Sequence, residues 1–226
     1  MTNIQPNYAA QREKMIANQL IARHITDERV LAAMRAVPRH LFVPPEWVPF
    51  AYQDRPLPIA AEQTISQPYI VAFMLQALTL VGGESVLEVG TGSGYQTALL
   101  CHLARWVTSL ERHAVLAEGA AAILDRLGLT NREIIVGDGS VGCPEHAPYD
   151  AITVGAVAPR IPPPLVTQLA DGGRLILPVA APNSKRQFLI RVRREGKQVR
   201  FENMGEVVFV PLVGEQGYPP PPAGNA

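Results

Sequence analysis
The sequence predicts an α/β protein: a doubly wound, mostly parallel sheet of seven strands with a helical extension at the N-terminus. Three observations predict it. From residue 85 onward, short apolar strand patterns alternate with amphipathic helix patterns, the order expected when crossover helices join parallel strands. The first of these strands, Ser85-Val86-Leu87-Glu88-Val89, runs directly into Gly90-Thr91-Gly92-Ser93-Gly94 and then into a helix with Ala98, Leu99 and Leu103 on one face. Acidic or small residues stand at the ends of the later strands, where open α/β sheets bind ligands.

In chain order, residues 8–23 read as a helix with Met15, Ile16 and Leu20 on one face. Asp27 caps a second helix over 28–36, with Val30, Leu31 and Met34 turned inward, and Pro38 stops it. Two proline-bounded extended pieces follow, 37–44 and 56–59. Ser66 is then placed to cap a helix over 68–80, with Pro68 in its first turn. After the glycine-rich turn, strands are expected at 106–110, 133–136, 150–154 and 174–179, with helices at 114–127 and 163–169 between them. The segments 187–193 and 206–210 read as a closing pair of strands at the sheet edge. Residues 1–217 form one domain in this reading: 8–80 is the helical and substrate-side part, and 81–217 the ligand-binding sheet. The tail, 218–226, carries four consecutive prolines and reads as disordered.

Composition narrows the functional classes. The chain has 226 residues, with 20 Lys+Arg balancing 20 Asp+Glu. That balance lacks the basic excess of a nucleic-acid binder or a membrane-surface protein. Residues 1–8 are polar and lack the apolar core of a signal peptide. The apolar stretch 70–81 is too short to span a bilayer. Only Cys101 and Cys143 occur, and neither they nor the scattered histidines have metal-ligand spacing, so no metal is expected. A reducing cytoplasm and a monomer are the simplest setting.

The glycine-rich turn carries the chemistry. Glycines let a ligand approach the backbone, and the helix N-terminus behind them offers free N–H groups and partial positive charge. Position 95 is Tyr, where the dinucleotide fingerprint needs glycine, and no P-loop lysine is present. Glu111, about 20 residues beyond the turn and followed by Arg112, has the placement of a ribose-hydroxyl acceptor. Asp138, between Gly137 and Gly139, suits an adenine edge. Gly155 to Ala158 leave room for ligand. The order of these features along the chain favours an adenosyl cofactor.

The pattern Glu88-x-Gly90-x-Gly92-x-Gly94 resembles motif I of the class I S-adenosylmethionine-dependent methyltransferases. Over about residues 8–213 the chain resembles protein-L-isoaspartate O-methyltransferases. The carrying motifs are Val37-Pro38-Arg39-His40, Pro56-Leu57-Pro58-Ile59, Gln63-Thr64-Ile65-Ser66-Gln67-Pro68-Tyr69, the 86–96 turn, Gly137-Asp138-Gly139, Pro148-Tyr149-Asp150-Ala151-Ile152, Gly172-Gly173-Arg174-Leu175 and Phe209-Val210-Pro211-Leu212. The Thr-Ile-Ser-Gln-Pro block is the most specific of them.

The resemblance implies the class I methyltransferase fold and S-adenosyl-L-methionine as cofactor, leaving as S-adenosyl-L-homocysteine. It also implies isoaspartyl-containing proteins and peptides as substrates, repaired through a succinimide. By match, Ser66 is the active-site residue. Gln63, Thr64, Ile65, Glu88, Gly90, Thr91, Gly92, Ser93, Gly94, Glu111, Arg112, Asp138 and Gly139 are the cofactor-binding set. Three positions depart from the family. Ala60-Ala61-Glu62 stands where Gly-x-Gly is usual, Cys143 where Trp is usual, and Gly155 where Thr is frequent. The altered 60–62 loop leaves open a related carboxylate methyltransferase acting on a peptide aspartate in biosynthesis. A non-catalytic adenosyl-binding paralogue is a second alternative, disfavoured because Ser66 and the glycine turn are both present.

Overall fold
The computed structural model describes residues 7–220. The expectations for residues 1–6 and 221–226 lie outside that range. The N-terminal part comprises α1 (Tyr8–Met15), α2 (Glu28–Ala36), a small antiparallel pair β1 (Leu57–Pro58) and β2 (Thr64–Ile65), and α3 (Pro68–Leu78). The sheet domain then runs β3 (Ser85–Val89), α4 (Tyr95–Leu103), β4 (Trp106–Glu111), α5 (Ala114–Arg126), β5 (Arg132–Val136), β6 (Tyr149–Val154), α6 (Pro163–Thr167), β7 (Leu169–Ala180), β8 (Gln187–Glu195) and β9 (Gln198–Val207).

The seven strands lie in the order β5-β4-β3-β6-β7-β8-β9. The strands from β5 to β7 are parallel; β8 and β9 join antiparallel. The chain leaves β3 toward one edge and crosses back to β6 on the other side. The crevice beyond the carboxyl ends of β3 and β6 is therefore the topological switch point, where such sheets bind ligands. The Gly155 amide donates to the Val89 carbonyl at 2.8 Å, so the two strand ends are tied together there.

Strand alternation sends neighbouring side chains to opposite faces. Val86 joins the core under the N-terminal helices and α4, whereas Leu87 and Val89 join the core on the other face with Tyr149 and Leu165. Burying each such Leu or Val contributes roughly 1.5–3 kcal/mol. The same parity puts Glu88 on the α4 side.

The element boundaries differ from the sequence reading in several places. The helical stretch 8–23 is continuous but loosens into a π turn at Ile16–Leu20 and tightens into a 3-10 turn at Ile21–Arg23. Helix α3 ends at Leu78 because Thr79 turns left-handed, with φ 49°. Ser66 is not its cap. Gln67 holds that position without a side-chain bond, and the Tyr69 amide is satisfied by Asp54 Oδ1 at 3.0 Å. A carboxylate 15 residues upstream thus caps the helix, a contact that local spacing cannot reveal. Helix α6 stops at Thr167, two residues before its expected end, and β7 begins at Leu169. The last strand is 198–207 instead of 206–210. As an edge strand it is mostly exposed and lacks an apolar stripe, while 208–210 runs on as extended chain toward the ligand crevice. Tyr218, read as part of a disordered tail, is bonded to the fold: its amide donates to the Leu212 carbonyl at 2.7 Å, and its carbonyl accepts from the Gly214 amide at 3.0 Å.

Candidate active site
A cleft of about 580 Å³ opens at the switch point. Its floor is the strand-end backbone of Val89, Gly90, Gly92, Leu110 and Gly155. One wall is the 61–64 loop, and the other is the returning chain Val210–Val213 with Tyr218 and Pro219. Glu111, Arg112, His113, Gly139 and Ala156 complete it.

Of the sequence-derived set, Gln63, Thr64, Gly90, Gly92, Glu111, Arg112 and Gly139 line this cleft. Glu111 is 5% exposed. Its Oε2 accepts from the Gly92 amide at 2.9 Å, and its Oε1 accepts from the His113 amide at 3.0 Å. A carboxylate offers about four acceptor sites, so Glu111 keeps capacity for a ligand's hydroxyls while holding the glycine turn in shape.

Ile65, Thr91 and Ser93 line a smaller neighbouring cavity together with Ser66. Thr91 is buried, and its hydroxyl pairs with Ser109 Oγ at 2.6 Å, beneath the turn.

Three residues of the set line none of these cavities. Gly94 (φ 84°) is the N-cap of α4, and a Cβ there would sit 2.9 Å from Ala120 Cβ. Its glycine serves helix packing. Glu88 is fully buried, accepting from Thr97 Oγ1 at 2.6 Å, Ser109 Oγ at 2.7 Å and Gln96 Nε2 at 3.1 Å. Strand parity aims it under α4, and burial raises its pKa to about 7 despite those donors. Asp138 stands beside Gly139 of the cleft; its Oδ1 accepts from the Ser140 amide at 2.8 Å, and its Oδ2 from the Glu215 amide at 2.7 Å. Burial alone would raise its pKa, but those amides outweigh it and hold the carboxyl below its ordinary value. Asp138 therefore fastens the returning C-terminal chain that forms one wall of the cleft.

Ser66 lies beside the cleft in a second cavity of about 390 Å³ with Arg23, Gln67, Tyr69 and the 206–210 segment. Thr64, Gly155 and Val210 line both spaces. The serine is thus one shared wall away from the cofactor-type cleft.

A family model described as protein-L-isoaspartate(D-aspartate) O-methyltransferase matches residues 10–217. The chain belongs to this family. Among curated relatives, a protein-L-isoaspartate O-methyltransferase 2 of Pelobacter propionicus is 54% identical over 213 residues, covering 94% of both chains. A protein-L-isoaspartate O-methyltransferase 1 of Rhodopseudomonas palustris is 52% identical over 212 residues, covering 94% of this chain and 86% of the relative. A solved protein-L-isoaspartate O-methyltransferase superposes with a TM-score of 0.83 at 30% identity, over 91% of this chain and 67% of that one. A Plasmodium falciparum structure described under the same family name, in complex with S-adenosyl-L-homocysteine, gives 0.78 at 27% identity, over 92% and 99%.

Within the family frame, the residues that sequence reading missed are mostly on the returning chain. In the sequence the Phe209-Val210-Pro211-Leu212 motif is only a family mark, yet Val210, Pro211 and Leu212 form a wall of the cleft. His113, one of the scattered histidines, also lines the cleft. Its position two residues past a strand-end acid was the available signal.

Proposed function
We propose that the chain transfers a methyl group from S-adenosyl-L-methionine to the free carboxylate of L-isoaspartyl residues, with the cofactor in the larger cleft and the substrate carboxylate beside Ser66. The chain is a methyltransferase of the protein-L-isoaspartate family and uses that family's cofactor. The observation that carries the site assignment is the common wall of Thr64, Gly155 and Val210 between the two cavities.

The cleft suits an adenosyl sulfonium. Gly90 and Gly92 expose backbone, Leu110 and Leu212 offer apolar walls, and Glu111 presents a carboxylate with unused acceptor sites. Bound S-adenosylmethionine supplies an already activated methyl group. Glu111 would hold its ribose hydroxyls, and Gln63 and Thr64 would close the side toward Ser66. The substrate needs no base, because an α-carboxylate has a pKa of about 3.5 and is ionised at neutral pH. Ser66 Oγ–H donates to one carboxylate oxygen and fixes the other for in-line attack. Orientation of this kind can supply roughly 7–11 kcal/mol. His40 is not required as a base. Its Nδ1 is engaged with the Tyr52 hydroxyl at 2.8 Å, and its ring stacks on Tyr8.

The finer reading is a monomer acting in the cytoplasm on damaged proteins, not nucleic acids. Balanced charge and two buried, unpaired cysteines support it. No described helix is long and apolar enough to cross a membrane. Labelled cofactor, incubated with an isoaspartyl peptide and separately with its aspartyl counterpart, tests the substrate. Label in the isoaspartyl peptide alone is expected. Label chiefly in the aspartyl peptide would instead favour the biosynthetic alternative.

A further inference from the structure
Arg39 sits in the core of the N-terminal part, fully buried. Its Nε donates to the Ala51 carbonyl at 2.8 Å, and its Nη2 donates to the Ser66 carbonyl at 2.6 Å. The guanidinium lies 4.8 Å from the Tyr95 ring centroid. Its Nη1 has no hydrogen-bond partner, and Arg39 forms no ion pair among the described residues.

A buried cation with no carboxylate in direct contact is costly, and an apolar side chain of similar length would fill the same volume without that cost. The bonds the cation does make are specific. They join two carbonyls 15 residues apart, one of which belongs to Ser66 itself. We propose that Arg39 is the positioning residue for Ser66, its fork-shaped guanidinium fixing the bend between β2 and α3 that presents the serine to the substrate cavity.

The surrounding contacts fit this role. Upstream of the serine, Ile65 is held in β2 by pairing with Leu57. Downstream, the Tyr69 amide is held by Asp54, which also pairs with Arg23 and accepts from Gln67 Nε2 at 3.4 Å. Ser66 lies between these two anchors, and its carbonyl is fixed by Arg39. Burial lowers the Arg39 pKa only to about 10, so the guanidinium remains charged, and its bonds charge-assisted, at neutral pH.

The proposal rests on Ser66 touching the substrate carboxylate, and the test separates the two ideas. The variants are S66A, R39M, R39K and R39M/S66A of the full chain. The readouts are single-turnover methylation of an isoaspartyl peptide at saturating cofactor, calorimetric affinity for S-adenosyl-L-homocysteine, and melting temperature.

R39M is expected to slow methylation about tenfold or more, the loss typical of a charged hydrogen bond, with cofactor-product affinity nearly unchanged. In the S66A background the same substitution should add less than about threefold, because residues acting as one unit are non-additive. R39K keeps the charge but cannot fork to both carbonyls, and should lie between R39M and the parent. It carries the test if R39M fails to fold. Parental rates in R39M or R39K would overturn the proposal. So would an equal loss with and without Ser66, or a rate loss matched by lost cofactor-product affinity. An intact rate in S66A would instead overturn the Ser66 reading itself.

Discussion
The two cavities that meet at Thr64, Gly155 and Val210 are built in opposite ways. The larger cleft stands on the carboxyl ends of β3 and β4, so its floor is mostly regular sheet and one tight turn. The cavity around Ser66 is assembled from Arg23 at the end of the first helical stretch, Pro56 in a proline-bounded link, the start of α3, and the end of β9 with the chain beyond it. In the first, backbone geometry creates the site. In the second, side-chain contacts between distant segments do. Substitutions on the two sides should therefore separate cofactor binding from methyl transfer.

The largest effect is expected for Gly92→Val. Gly92 has φ 54°, a conformation that a β-branched residue resists, and it lies on the cleft floor. Cofactor binding should be lost while the far-ultraviolet dichroism of the fold survives. A folded variant with normal affinity would make this position an ordinary turn.

Ser66→Ala acts on the other side. It should cut the single-turnover rate about 10- to 100-fold, equivalent to roughly 1.5–3 kcal/mol, with cofactor affinity retained. The rival role as a helix cap is already excluded by the Gln67 and Asp54 geometry, so little change in melting temperature is expected. A parental turnover rate would remove Ser66 from the mechanism.

Glu111→Ala returns to the cleft. Two of its acceptor sites already serve the Gly92 and His113 amides. Its loss should weaken cofactor binding by about 1.5 kcal/mol, near tenfold in Kd, with a smaller change in the chemical step. Calorimetry with an unchanged Kd would show that Glu111 serves the turn alone.

Glu88→Gln should have the smallest effect on catalysis and a distinct effect on stability. Glu88 is held at a pKa of about 7 by burial, above the ordinary 4.5. Between those values the unfolded chain has lost the proton and the folded chain retains it. Its contribution is therefore present below pH 4.5 and is lost as pH rises toward 7. Asp138 and Glu84, whose pKa values are lowered, act with the opposite sign and in a more acidic window. Melting temperatures between pH 4.5 and 7 should fall less steeply in Glu88→Gln than in the parent. Identical slopes would place the titration elsewhere.

What the sequence determined by itself was local in origin. Strand and helix periods, three alternating glycines and an acid at the end of β4 each reflect a backbone requirement expressed within a few residues. They were enough for the fold class, and they put Glu111 at the carboxyl end of β4, where it lines the cleft. The tertiary structure alone decided the features that depend on contacts across long stretches of chain. Strand parity, the Thr97 and Ser109 hydroxyls and the Gln96 side-chain amide turned Glu88 into a buried support. Asp54 took over the cap that spacing gives to Ser66. Asp138 came to accept from the Glu215 amide, 77 residues away, and the returning chain with Tyr218 became a wall of the cleft. The reason is physical. Buried polar groups must find partners wherever the fold brings them, and sequence spacing fixes only those partners that lie within a turn or two.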